Sequence, residues 1–383
     1  MERKVVTLRK IIEELRSRLL ERDDVIEGAL CALLTGAHML IIGPPGTAKS
    51  QLVHEVCKRV EGAHYFQWLL TKFTTPEEIF GAVSLRGLEN DEYRRVINGK
   101  IPEAHIAFLD EVFKASSSIL NTLLTIMNER VFYNSTDVVR VPLISLFGAS
   151  NELPSEEDEL EALYDRFLLR YVVDYVKEDF RFLKMLSTEE MDEGVTSITL
   201  DELRKCQSQV SEILVPQHVV KLVLRMRSDL NSRGIVLSDR RYKHSISLLR
   251  SKAYLSGRDE VIESDLGILE NVLWRDPGDV GEIKAVIYQL LHGYKDALRE
   301  LLIQARELQS YSKRDWENEE LEINANIEAQ TKLRHILSKL DSMIDEFRER
   351  GKSIDEITRA RTEIEHIQRE TLDKLISSNE EMV

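Results

Sequence analysis

Gly43-Pro44-Pro45-Gly46-Thr47-Ala48-Lys49-Ser50 follows the phosphate-loop pattern G-x-x-x-x-G-K-[ST], with Ala48 where the pattern has its second glycine. Glycines in such a loop turn consecutive backbone N–H groups toward phosphate oxygens. The helix that follows adds its positive N-terminus, and a lysine reaches the outer phosphates. Lys49 suits that last role and the Ser50 hydroxyl suits Mg²⁺; Ala48 is tolerable if it takes ordinary helical dihedrals. About sixty residues on, an apolar run over 106–109 ends in Asp110-Glu111. Asp110 is placed to hold Mg²⁺ through water, and Glu111 to orient an attacking water or take its proton. A further apolar run over 143–149 ends in Ser150-Asn151. The Asn151 amide could reach a γ-phosphate or position water, although Asn at a strand end is also a common turn former. These types and spacings suit ATP with Mg²⁺ and attack of water on the γ-phosphate.

The elements that must hold these residues are legible from periodicity. Apolar residues recur at three- and four-residue steps over 9–34 with a polar break at Arg22-Asp23-Asp24, which predicts two helices. Residues 38–42 read as a buried strand entering the loop, and a helix is expected from 49 to about 60. Further strands are expected at 65–69, 106–109, 143–149 and 168–173, with a helix over 117–128. Strand alternating with helix implies a parallel sheet between two helical layers. Two β-rich pieces, 131–133 and 138–141, flank Asn134-Ser135-Thr136-Asp137 and predict a hairpin.

Beyond 175 strand signals fade. Residues 200–273 read as about four helices, Pro216 opening the second, and Asp276-Pro277-Gly278-Asp279 marks a break. The remainder contains no proline and predicts long helices. Leu333, Leu337, Leu340, Ile344 and Phe347 keep the seam spacing of a bundle or coiled coil. Gly351 is expected to close that helix, and Ser353 with Glu356 to form the capping box of a returning one. Its Ile357, Ile364 and Ile367 would pack back, with residues 283–302 completing the bundle.

Composition narrows the function classes. The 383 residues are 43% hydrophobic and 31% charged, enough apolar content for a sizeable core and against wholesale disorder. The richest apolar stretch, 31–42, is broken by Thr35, Gly36 and His38 and falls short of the ~20 residues a bilayer needs, so no membrane span is expected. No leader pattern opens the chain, which points to the cytoplasm. With 52 Lys+Arg against 67 Asp+Glu the net charge is −15, which disfavours nonspecific nucleic-acid binding. Cys31, Cys57 and Cys206 are too scattered for a metal site and are expected as buried thiols. The nine histidines do not cluster. His38 and His64 are expected to be structural, and covalent catalysis has no local support.

The order of phosphate loop, acidic strand end, polar residue after the next strand and then Asp165-Arg166-Phe167 is that of an AAA+ ATPase. Over roughly 19–273 the chain resembles the MoxR group of that family, and within it the RavA branch. The phrases that carry this are GPPGTAKS, FTTPEEIFGAVSL from Phe73, GKIPEAHIAFLDEVFKA from Gly99, ILNTLLTIMNER from Ile119, ASNELP from Ala149, EALYDRFLLR from Glu161 and SDRR from Ser238. The resemblance implies a P-loop αβα sandwich with a helix-two insertion over 76–102 and an extra hairpin over 130–141. An α-helical lid and a C-terminal helical bundle or coiled-coil hairpin would follow. The expected domains are 1–180, 181–276 and 277–383.

The resemblance further implies that Asn151 senses the γ-phosphate and that Arg166 is the arginine finger, offered to the nucleotide of a neighbouring subunit. Arg170 is a second candidate. The alternative is that Arg166 pairs with Glu161 or Asp165 on its own helix. Arg240 matches the lid arginine that closes over the phosphates, with Arg241 adjacent. Phe80, Leu85, Arg86 and Tyr93 in the insertion are possible pore contacts or simply packing. The implied activity is ATP hydrolysis by a hexameric ring that remodels, matures or helps assemble a partner complex, often beside a von Willebrand factor A domain protein. The β-rich insertion of RavA-type proteins is not found. A nucleic-acid-translocating motor and an ATP-gated scaffold are the rivals. Against the motor, residues 280–383 hold 16 Lys+Arg and 22 Asp+Glu with no basic-aromatic stripe; against the scaffold, the Asp110-Glu111 pair and Arg166 are intact.

Overall fold

The computed structural model describes residues 2–153, 158–187, 195–314, 319–349 and 353–380, in two compact units, Met1–Lys284 and Ala285–Val383. The first opens with α1 (Glu2–Arg18) and α2 (Asp23–Thr35), on either side of the polar break. α2 buries Val25 and Ile26 in its first turn and every residue from Gly28 to Leu34 beyond it, as a helix enclosed on all sides does. It stops at Gly36, whose φ of 68° is the left-handed cap that glycine adopts without steric cost.

β1 (His38–Ile42) leads into the loop and α3 (Lys49–Cys57), followed by β2 (Val60–Glu61), β3 (Tyr65–Leu69), α4 (Pro76–Phe80) and α5 (Leu85–Leu88). Next come β4 (Ile106–Asp110), α6 (Ser117–Glu129), β5 (Val131–Asn134), β6 (Asp137–Arg140), β7 (Ser145–Ser150), α7 (Asp158–Arg166), β8 (Phe167–Val172), α8 (Asp179–Ser187) and β9 (Ile198–Thr199). The helix expected to reach 60 ends at Cys57 because Val60 and Glu61 pair with Ile198 and Thr199. The hairpin forms as expected, with Asn134 and Asp137 still paired, so its turn is tighter than the four-residue polar stretch suggested.

The main sheet runs β3-β4-β7-β1-β8, every neighbour parallel. β1 and β7 are buried at all positions, which is why both read as unbroken apolar runs: helices cover the sheet on each face. The carboxyl ends of β1, β4 and β7 therefore deliver the loop, Asp110 and Ser150-Asn151 to one edge, where open α/β sheets bind ligands.

α9 (Leu200–Glu212), α10 (Gln217–Ser232) and α11 (Asp239–Leu255) follow, with a 3₁₀ segment over Glu263–Asn271. Thr199 and Glu202 cap α9 reciprocally, and Pro216 precedes α10. α12 (Val280–Ser312) crosses the boundary between the units, and α13 (Glu319–Glu349) and α14 (Asp355–Glu380) complete the second. There the seam Leu333, Leu337, Leu340, Ile344 and Phe347 packs with Ile357, Ile364 and Ile367, and with Leu298, Leu301 and Ala305 of α12, as one core. The expected stop at Gly351 lies outside the described residues. The Ser353–Glu356 capping box does not form. α14 starts at Asp355, so the Ser353 hydroxyl accepts from the Asp355 N–H at 3.3 Å and Glu356 lies 3.7 Å from Lys295. No helix among the described residues is long and apolar enough to cross a membrane, and the three cysteines are free and buried.

Candidate functional site

The loop leaves β1 at Gly43, whose N–H donates to Ser150 O at 3.0 Å, tying it to the strand that carries Asn151. A Cβ on Gly43 would sit 2.2 Å from Val173 O, so only glycine fits. Gly46 has φ 80°, and Ala48 has φ 63° and ψ 24°. The condition set for tolerating Ala48, ordinary helical dihedrals, is therefore not met: the second-glycine position is left-handed, and alanine occupies it at a cost of about 1–2 kcal/mol.

Lys49 is buried and its ammonium uses all three donors, to Gly43 O at 2.6 Å, Pro44 O at 2.9 Å and Asn151 Oδ1 at 2.9 Å. Burial draws its pKa down while Asp110 and Glu111 oppose the shift. Ser50 Oγ donates to Asp110 Oδ2 at 3.4 Å, and Asp110 Oδ1 accepts the Glu111 N–H at 3.0 Å. Glu111 is buried, in the left-handed region at φ 53°. Its Oε1 accepts from Asn151 Nδ2 and its Oε2 lies 3.2 Å from Lys114 Nζ. The structure thus joins Lys49, Ser50, Asp110, Glu111 and Asn151 in one network at the carboxyl edge of the sheet. Oxygens from Ser50 and Asp110 converge as a hard divalent cation requires.

Two family profiles match: one described as the MoxR domain in the MoxR-vWA-beta-propeller ternary systems over residues 6–208, and an AAA lid domain over 218–287. The chain is 43% identical to the uncharacterized protein MJ0079 of Methanocaldococcus jannaschii over 76% of each chain. The chain belongs to the MoxR family of AAA+ ATPases. It is also 26% identical to the chaperone MoxR1 of Mycobacterium tuberculosis, covering 68% of this chain and 73% of that one. A crystal structure of a candidate ATPase from Cytophaga hutchinsonii superposes with a TM-score of 0.60 at 16% identity, over 75% of this chain and 94% of that one, which shows a shared fold.

The arginines of this MoxR-family chain are distributed differently from the loop residues. Arg170 and Arg241, the reserve candidates, are both buried and claimed by carbonyls. Arg170 donates to Phe167 O, Tyr164 O and Trp274 O and stacks on the Tyr164 ring at 3.7 Å. Arg241 donates to Leu168 O, Val272 O, Asp165 O and Phe167 O, clamping β8 to the helices of the lid profile. Neither presents a guanidinium to phosphate.

Arg240 is not brought over its own loop. It donates to Asn128 Oδ1 at 2.8 Å, beside Met127, whose carbonyl contacts His38 at the amino end of β1. The loop leaves the other end of that strand, on the order of 15 Å away at ~3.3 Å per residue. Arg166 precedes β8 at the same amino edge. Burial, and then the nearby Arg240, push its pKa down, and its Nε has no hydrogen-bond partner among the described residues. Its pairing with Asp165 is loose at 3.8 Å, while Glu161 is taken by Arg275. Two cations thus lie together on one edge, remote from the Gly43–Ser50 loop of their own chain.

Sequence reasoning missed Arg22 and Tyr175, which lack a motif. Arg22 donates to Thr47 O at 3.4 Å and Asp174 O at 2.5 Å, and Tyr175 donates to Pro45 O at 3.2 Å, backing the loop. With Val173, Arg181 and Trp274 they line a cavity of about 560 Å³. In the helix-two insertion Phe80 is a packing residue, buried and stacked on Phe132 at 5.8 Å, whereas Leu85, Arg86 and Tyr93 are exposed. Phe73, on the loop after β3, was not singled out and is 91% exposed.

Proposed function

We propose that this MoxR-family protein hydrolyses ATP as a hexameric ring in the cytoplasm and uses the cycle to remodel or help assemble a partner protein complex. The observation that carries the reading is the Asn151 amide, which touches Lys49 on one side and Glu111 on the other. A γ-phosphate offers Lys49 a stronger, anionic partner than a carbonyl or a neutral amide, and it competes with the Glu111 carboxylate for the Asn151 N–H. Taking it would release Glu111 Oε1 toward water. Mg²⁺ held by Ser50 and, through water, by Asp110 would neutralise charge on the phosphates when bound. Pro44, Pro45, Thr47 and Ala48 would contribute loop backbone around them, and the cavity beside Arg22 and Tyr175 would take the base.

Arg166 and Arg240 lie too far from their own loop to serve it, which supports their donation in trans to a neighbouring copy and makes turnover depend on assembly. In this reading 1–180 form the nucleotide domain, 181–276 the lid and 277–383 the extension. Exposed Phe73, Leu85 and Tyr93 would grip a polypeptide client. The quoted phrases support a place near the RavA branch, while the matching profile, drawn from MoxR-vWA-beta-propeller systems, supports a von Willebrand factor A domain partner.

The test is ATP hydrolysis against protein concentration for wild type and Glu111→Gln, with assembly followed by light scattering and single-stranded DNA added in parallel. Concentration-dependent turnover, lost in Glu111→Gln with ATP binding retained and indifferent to DNA, is expected. Equal, negligible turnover by both proteins would sink the hydrolase reading in favour of a scaffold, and DNA stimulation would favour the motor.

A further inference from the structure

We infer that Lys114 is a positioning residue for Glu111, anchoring one carboxylate oxygen so that the other faces the γ-phosphate. The inference rests on the hydrolase reading above. Glu111 and Lys114 bracket a single 3₁₀ turn, Val112–Lys114, closed by the Lys114 N–H donating to Glu111 O at 2.9 Å. Glu111 caps this turn from the left-handed region, at φ 53° and ψ 45°, three residues before Lys114. Their charged ends meet at 3.2 Å through Oε2, while Oε1 points the opposite way, to Asn151.

The turn itself is braced. Phe113 packs on Tyr164 at 6.1 Å between ring centroids, and the Tyr164 hydroxyl donates to Arg275 O at 2.6 Å. Of the two side chains that touch the Glu111 carboxylate among the described residues, Asn151 is the one that also contacts Lys49, where a γ-phosphate would arrive. Once its amide turns to the γ-phosphate, Lys114 is the remaining side-chain contact. A carboxylate pinned at one oxygen keeps a single freedom, rotation about that contact, and Oε1 is left to accept from the attacking water. The Lys114 side chain is 44% exposed, so the pair adds little to stability. Its consequence lies in orientation.

Lys114→Met and Lys114→Arg would be compared with wild type and Glu111→Gln for kcat and KM, for binding of a fluorescent ATP analogue and for thermal midpoint. Lys114→Met is expected to lower kcat about tenfold, a part of the roughly 10²–10⁴-fold that a positioned base supplies. KM, analogue binding and melting should stay within twofold or a degree or two of wild type, and Lys114→Arg should recover most of kcat. An unchanged or raised kcat in Lys114→Met, or a loss that follows analogue binding, overturns the inference while leaving the hydrolase reading intact. Turnover by Glu111→Gln equal to wild type overturns both.

Discussion

Lys49 Nζ lies 2.9 Å from Asn151 Oδ1 although the two residues are 102 positions apart in the chain. β1 and β7 are parallel neighbours in register at Ile42 and Ser150, so the loop leaves the sheet beside Asn151, and its return brings Lys49, at the start of α3, back to Gly43 O and Asn151. Asn151 also holds Glu111, which makes it the connection between the loop lysine Lys49 and the strand-end acid.

Removing that connection separates binding from chemistry. Asn151→Ala is expected to bind ATP within about threefold of wild type, because Lys49 and the loop amides remain, and to lose roughly 10²-fold in kcat as a polar transition-state donor disappears. Lys49→Ala should lose binding instead. Steady-state kinetics with a fluorescent analogue titration distinguishes the two; loss of binding in both variants would contradict the division of roles.

Arg166 and Arg240 share the amino edge of the sheet, so each should act on another subunit's nucleotide. Arg166→Ala and Glu111→Gln should each be inactive alone and retain ATP binding. Mixed in equal amounts they should regain activity, on the order of a quarter of wild type, from interfaces that combine an intact Glu111 with an intact Arg166. An inactive mixture that nevertheless forms mixed rings would place Arg166 in its own site.

His38 gives the fold a pH dependence. Buried and close to Arg130, it accepts the Leu146 N–H at Nδ1, and its pKa falls from 6.5 to about 3. Between those values the unfolded chain binds a proton that the folded chain refuses, so stability rises with pH and falls on acidification. The slope reaches about 1.4 kcal/mol per pH unit for this one group. Urea midpoints at pH 7.5, 6 and 5 should show the decline, and His38→Gln, less stable at pH 7.5, should show a shallower one. Parallel slopes would remove His38 as the cause.

Ala48 sits at φ 63° inside the phosphate loop. Ala48→Gly should relieve about 1–2 kcal/mol of left-handed strain against the ~0.5–1 kcal/mol that glycine adds to chain entropy. A small net gain in stability, visible as a higher urea midpoint, is expected with nucleotide binding preserved. A lower midpoint would show that the loop backbone does not carry this strain.

Local pattern determined much of this protein. The apolar runs of β1, β3, β4, β7 and β8 and the stepped aliphatics of the C-terminal helices specify their own elements, because burial on one or both faces writes its period into neighbouring residues. The phosphate loop and Asp110-Glu111 are likewise contiguous, so their chemistry could be named before any fold was known. What only the tertiary structure decided depends on residues far apart. The four arginines Arg166, Arg170, Arg240 and Arg241 look alike in sequence, yet two are caged by carbonyls of β8 and neighbouring segments and two stand at its open edge. Strand order and direction made that division, as they set Asn151 between Lys49 and Glu111. Ala48's left-handed dihedrals were hidden as well, because no property of alanine announces them.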